Sequence, residues 1–161
     1  DMEELRDLYD KNKNLTGEKY YKGEIIPKDR YTIVVTLFIL NQHNELLLQK
    51  RSKEKGGKFR FLSGHPKAGK NSLQGIITEL KEEIGIHSQE MSFLHTEKTK
   101  NTFFDFYYLK SDIDISKLEL QKEEVESVKW FSICDIEKLI DRNEFYENHI
   151  EALDIIKKYI K

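Results

Sequence analysis

Apolar, β-branched and aromatic side chains crowd the stretch from Tyr31 to Leu40, which predicts a long strand. A polar turn, Asn41-Gln42-His43-Asn44, follows, and Glu45 to Gln49 with Leu46, Leu47 and Leu48 predicts the returning strand of a hairpin. Charged residues from Arg51 to Lys58, with Gly56-Gly57 among them, predict a loop. Phe59 to Leu62 predicts a short strand, and Ser63 to Lys70 a second loop. Beyond it the apolar period changes. Leu73, Ile76, Ile77, Leu80 and Ile84 fall within roughly 100° of one another when each residue turns about 100°. That stripe predicts a helix from about Ser72 to Ile84, capped by Asn71 or Ser72 and stopped by Gly85. Strands are expected at Met91 to Leu94, Asn101 to Leu109 and Val125 to Phe131, and helices at Cys134 to Ile140 and Phe145 to Ile160. Residues 1–30 are a polar extension, two short extended pieces around a turn at Asp10 to Gly17. The order implies an α/β fold, a mixed sheet covered on both faces, in one domain over residues 1–161.

Composition narrows the class. The 161 residues are 38% hydrophobic and 35% charged with 8 Gly and 2 Pro, which excludes disordered, collagen-like and membrane-embedded chains. The longest apolar stretch, Ile33 to Leu40, falls far short of the roughly 20 residues that cross a bilayer, so no membrane partner is expected. A net charge of -2 gives no global attraction to nucleic acid, which is set aside as a partner. A lone cysteine, Cys134, cannot close an intrachain disulfide, and the opening residues lack a signal-peptide pattern, so a cytoplasmic location is expected. A homodimer is compatible with the composition.

The predicted central helix carries a second face. Glu79, Glu82 and Glu83 lie at i, i+3 and i+4, close enough to repel one another by about 0.2–0.5 kcal/mol per exposed pair. A hard divalent cation would relieve that repulsion, since Mg²⁺ takes one or two carboxylates together with phosphate oxygens and water. Beside a glycine loop, the cluster is a candidate metal and phosphate site. An ordinary solvated acidic face has the same spacing, and only the flanking sequence separates the two.

That flank reads Ser63-Gly64-His65-Pro66-Lys67-Ala68-Gly69-Lys70, then, after seven residues, Thr78-Glu79-Leu80-Lys81-Glu82-Glu83-Ile84-Gly85-Ile86. It resembles the Nudix box, G-x5-E-x7-R-E-U-x-E-E-x-G-U, over residues 64–86. Gly64, Glu79, Leu80, Glu82, Glu83, Gly85 and Ile86 match; Lys70 replaces a Glu and Thr78 an Arg. Tyr9-Asp10, Thr16-Gly17, Leu48-Gln49-Lys50-Arg51-Ser52 and Val128-Lys129-Trp130-Phe131-Ser132 resemble the branch related to isopentenyl-diphosphate isomerase. The resemblance implies an α/β/α sandwich and Mg²⁺- or Mn²⁺-dependent hydrolysis of a small-molecule diphosphate. It implies Glu79 and Glu83 as principal metal ligands, Glu82 as a further ligand and the Ser63 carbonyl as a backbone ligand. Glu124 is the expected general base, with an exposed strand-edge charge as the plain alternative. Arg51, His65, Lys67 and Lys70 are the expected substrate contacts.

The two departures fall on residues that the family uses together to tie loop to helix, and losing both leaves no unpaired charge behind. Lys67 and Lys70 make the loop basic, which suits direct neutralisation of phosphate as well as plain solvation. Two rivals follow. One is an isomerase, weakened by Ser63 where its thiol would stand, because a hydroxyl is too weak an acid for that role. The other is a fold retained to bind a ligand without turning it over.

Overall fold

The computed structural model describes residues 4–87 and 90–160. Two strands, β1 (Leu5–Tyr9) and β2 (Leu15–Tyr21), form an antiparallel hairpin of their own. The main sheet takes β3 (Thr32–Leu40), β4 (Leu46–Arg51), β5 (Phe59–Arg60) and β6 (Leu62–Gly64) before the first helix, α1 (Ser72–Ile84). After it come β7 (Ser92–Lys98), β8 (Thr102–Lys110) and β9 (Val125–Phe131), then α2 (Ile133–Asp141) and α3 (Ile150–Lys157).

The centre of the sheet is β3, parallel to β8 from Thr32 opposite Thr102 to Leu40 opposite Lys110. On its other side the expected hairpin is brief, because β4 meets β3 only at Leu40 opposite Leu46 and then pairs with β9. The turn explains it. Asn44 sits at φ 58°, and the Asn41 side chain accepts the N–H groups of His43 and Glu45, closing the turn on itself. The freed edge of β3 is taken by β6, which sets Gly64 opposite Val35 and Ser63 opposite Thr36. This pairing brings the loop after β6 to the sheet.

Alternation along β3 sends its side chains to two cores. Val35, Leu37 and Ile39 pack with Ile76, Leu80 and Ile84 of α1, while Phe38 and Leu40 pack with Phe106, Ile136, Leu139, Leu153 and Ile156. Helices therefore cover both faces, the sandwich that the sequence implies. Fully burying such a side chain contributes about 1.5–3 kcal/mol, and Val35, Leu37, Ile76 and Leu80 are completely buried. The aromatic run on β8 packs on both faces too: Phe106, Phe104 and Tyr108 against one core, Tyr107 against the other, and Phe103 with Tyr9 and Ile33.

Several boundaries differ from the sequence expectation: the N-terminal turn closes before Leu15, so Thr16 and Gly17 lie in β2; the strand expected at Phe59 to Leu62 divides into β5 and β6, the latter taking in Ser63 and Gly64; and the last helix ends at Lys157. The last helix begins at Ile150, not Phe145, because the backbone before it is drawn to the sheet: Phe59 N–H donates to Glu144, and Tyr146 N–H to Phe59. Phe145 is thereby buried edge-on against Phe61. β7 runs on to Lys98 through His95-Thr96-Glu97, an edge strand whose polar, half-exposed side chains hide its pairing with β8. The β1–β2 hairpin is joined to the body by reciprocal Tyr9–Tyr31 backbone bonds, by Lys13 Nζ donating to buried Asp105 at 2.6 Å, and by Ala68 N–H donating to the Leu5 carbonyl at 2.8 Å.

Candidate active site

The first turn of α1 is fixed by a reciprocal capping box: the Asn71 side chain accepts Gln74 N–H, and the Gln74 side chain accepts Asn71 N–H. Gly85, at φ 74°, ends the helix as the left-handed cap that a residue with a Cβ would strain. With both ends set, the three glutamates diverge. Glu83 is buried, Glu79 is half-buried, and Glu82 is exposed along an open groove with Lys81 and Lys117.

Glu79 lies directly over Gly64. A Cβ at Gly64 would stand 2.7 Å from Glu79 Cγ, so only glycine allows this approach. Gln49 Nε2 donates to Glu83 Oε1 at 3.2 Å. Burial, then the hydrogen bond with Glu83, then the charges of Glu83 and Glu82 push the Glu79 carboxyl up to about 9, with Arg60 opposing. Two adjoining carboxyl groups in a sheltered place cannot both ionise without a positive partner, so near neutral pH this pair holds one proton or a cation in its stead.

The donor set fits a hard divalent cation. Beside Glu83 lies Gln49, whose Oε1 is a buried carbonyl oxygen with no hydrogen-bond partner among the described residues. Among the described residues no three His, Cys, Asp or Glu side chains close a cage by themselves. Two carboxylates completed by water and substrate phosphate are the usual pattern for Mg²⁺, which rarely sits in an all-protein cage. Glu82 stands apart from the buried pair.

Other expected residues fall into place with partners of their own. The Ser63 carbonyl accepts from Arg60 Nη2 at 3.2 Å, and the Ser63 hydroxyl is buried within 3.2 Å of Thr36 Oγ1. Arg51 and Glu124 are brought together: Nη2 donates to Oε2 at 3.0 Å and Nε to the Glu124 carbonyl at 3.2 Å, with Lys55 Nζ 3.6 Å from Oε1. Glu124 is thus a paired carboxylate, and a base there would first have to leave Arg51. His65 is held neutral, pushed down to about 4 by burial and then by Arg6, and its Nδ1 is buried without a partner among the described residues. Lys67 and Lys70 are exposed and form no ion pair among the described residues. Thr78, in the family's Arg position, donates its hydroxyl back to the Gln74 carbonyl.

Sequence reasoning missed Gln49, Arg60 and Asp7. Gln49 is a polar side chain inside a leucine-rich strand, which is the signal that could have found it. Arg60, pushed down to about 10 by burial and then by Arg51, faces the field of Glu83 and Glu79.

Residues 30–153 match the NUDIX domain, and the chain belongs to that family. It is 31% identical over 153 residues to an uncharacterized Nudix hydrolase of Listeria monocytogenes, covering 89% of this chain and 88% of that one. DR0079 from Deinococcus radiodurans shares the fold with a TM-score of 0.79 at 16% identity, over 94% of this chain and 98% of that one. The Nudix domain of Shewanella oneidensis NrtR, solved with ADP ribose, superposes with a TM-score of 0.64 at 15% identity, over 81% and 89%. No helix of the described residues is long and apolar enough to cross a membrane.

Proposed function

We propose that the protein is a metal-dependent pyrophosphohydrolase that cleaves a nucleoside diphosphate-linked or other diphosphate-linked small molecule by attack of water on phosphorus. The observation that carries this reading is the sheltered Glu79–Glu83 pair pressed against Gly64, which needs a proton or a cation. When bound there, Mg²⁺ or Mn²⁺ supplies neutralisation of phosphate charge and an acidified water. Glu79, Glu83 and the free Gln49 oxygen would hold the ion, Glu82 would approach it through substrate or solvent, and the carbonyl of Ser63, the residue before Gly64, would serve as a backbone ligand. Glu124 would take the proton of the attacking water once substrate phosphate draws Arg51 away from it. Lys67 and Lys70, exposed on the loop, would meet phosphate oxygens as point charges. The neutral His65 would serve as a hydrogen-bonding contact. The free, exposed Cys134 suits a reducing, cytoplasmic setting.

The test is release of phosphate or pyrophosphate from nucleoside di- and triphosphates, nucleotide sugars and dinucleoside polyphosphates, each with Mg²⁺, Mn²⁺ or chelator. Metal-dependent release is the expected result, and silence with every compound overturns the reading. A second reading, a module that binds such a ligand without cleaving it, draws support from Lys70, Thr78 and the engaged Glu124. It predicts thermal stabilisation by ligand in chelator with no turnover. Isomerase chemistry is not proposed, since the Ser63 hydroxyl is tied to Thr36 and Cys134 lies on another element.

A further inference from the structure

Between the loop leading into β5 and the segment leading into α3 lies a cleft of about 350 Å³. That volume is within the range of small-molecule sites. Its walls bring together four cations, Arg51, Lys55, Lys58 and Arg60, with the ring of Tyr146, and Glu147 is the one carboxylate in the lining. Two of the cations are already answered, because Arg51 and Lys55 share Glu124. The other two form no ion pair among the described residues, and Arg60 feels Glu83 and Glu79 only through their field. Among the described residues Lys58 Nζ donates only to the neutral Asn143 Oδ1 at 2.9 Å, and Arg60 only to the Ser63 carbonyl at 3.2 Å. Arg60 Nε is buried with no partner among the described residues. A guanidinium kept in a sheltered wall with a donor unspent costs free energy unless an anion completes it in the working state.

Position gives the cleft its meaning. Arg60 forms part of its wall and also touches Ser63, the residue before the Gly64 that receives Glu79. A molecule whose phosphoanhydride lay at Glu79 and Glu83 would reach the cleft with its next group. Asn148, which also lines it, donates to Tyr146 Oη, and the Tyr146 ring is held T-shaped against His149 at 4.9 Å, which fixes that wall of the cleft.

We propose that this cleft is a second anion subsite, in which Lys58 and Arg60 bind a phosphate group lying beyond the bond that is cleaved. It rests on the reading of Glu79 and Glu83 as the cleavage site and narrows the substrate. Molecules carrying a further phosphoryl group, such as nucleoside triphosphates or dinucleoside polyphosphates, are favoured over nucleotide sugars whose far end is uncharged.

The test uses the full chain and inorganic tripolyphosphate as probe, titrated by calorimetry in chelator so that neither metal nor turnover enters. Wild type binds, more weakly as salt rises. Lys58→Ala and Arg60→Gln each weaken binding by about tenfold or more, while Lys138→Ala, on α2 and outside the cleft lining, changes it less than about twofold. Should Arg60→Gln fail to fold, Lys58→Ala decides alone, since its only bond is to an exposed asparagine side chain. Wild-type affinity in the folded variants, or no binding by wild type, overturns the subsite. A second arm compares kcat/KM for a nucleoside triphosphate and a nucleotide sugar with Mg²⁺, and the preference for the triphosphate falls in Lys58→Ala. Tripolyphosphate binding without any turnover supports the subsite and removes the hydrolase reading. Turnover with no preference and no tripolyphosphate binding does the reverse.

Discussion

Asp7 Oδ2 accepts the backbone N–H of Gly69 at 2.8 Å, a bond that joins β1 to the loop between β6 and α1 across 62 positions of sequence. Its other oxygen lies 3.2 Å from Lys19 Nζ, so the buried carboxylate is paired as well as bonded. Next to it Leu5 holds Ala68 N–H. The Nudix family ties this loop to its helix through the Glu and Arg that are here Lys70 and Thr78; in this chain the loop is tied to the N-terminal hairpin instead.

Asp7→Ala should therefore loosen the loop. A hydrogen bond to a charged group contributes about 1.5–3 kcal/mol, and a melting temperature lowered by several degrees is expected. Hydrogen exchange at Gly69 and Ala68 should quicken in Asp7→Ala and less in Asp7→Asn, which keeps an acceptor. Equal protection in all three proteins would show that Asp7 does not hold the loop.

Gly64→Ala should act on Glu79 rather than on the fold. The new Cβ would fall 2.7 Å from Cγ and 2.8 Å from Cδ of Glu79, and the side chain must swing off Glu83 to make room. Metal-dependent turnover should fall steeply while stability changes by no more than the roughly 1–3 kcal/mol of an overpacked site. Full activity in Gly64→Ala would mean that Glu79 need not stand where it does.

Glu83→Gln keeps the shape beside Gln49 and removes the charge. Loss of turnover should exceed the roughly 10–100-fold typical of a lost supporting contact, in a protein whose circular dichroism is unchanged. An active Glu83→Gln variant would refute its role as a metal ligand.

His149 gives the stability a pH dependence. Its Nδ1 accepts Phe61 N–H at 3.2 Å, and burial, followed by the charges of Arg60 and Arg51, pushes it down to about 3. The unfolded chain, with a His pKa of about 6.5, binds this proton first as pH falls. The contribution of His149 to stability is complete above about pH 6.5 and declines toward pH 3, at up to about 1.4 kcal/mol per pH unit. His65, at about 4, adds in the same direction, whereas metal-free Glu79, raised to about 9, works the other way. The clean measurement is the difference between wild type and His149→Gln in denaturant titrations between pH 6.5 and 5. The variant should lose one proton's worth of slope, and equal slopes would refute the assignment. If that variant does not fold, His65→Gln serves the same comparison.

The helix at the heart of the site was legible from the sequence, with its cap left between Asn71 and Ser72, because an apolar stripe, Asn71 and Gly85 are all local signals. The carboxylates were legible for the same reason, as positions on one helix turn. What holds them was not. Gln49, Arg60 and Asp7 reach the site from β4, β5 and β1, and no local period marks a contact made across tens of residues. The late start of α3 has the same origin, since Phe59 captures the backbone around Phe145 before a helix can form.

The parallel pairing of β3 with β8 also governs how the protein is born. Thr32 and Thr102 lie side by side although 70 residues separate them (102 − 32). At roughly 5–20 residues per second, the partner strand leaves the ribosome about 4–14 s after β3. For that interval the apolar edge destined for β8 has nothing beside it, and a distant parallel pairing is slow to close in any case. The helix that carries the carboxylates is synthesised inside this window, before Leu109 and Val125 arrive to complete the core on its face. The nascent chain thus spends seconds as a ready template for strand pairing with its neighbours, and crowded synthesis, rather than the finished protein's stability, is where aggregation has its opening.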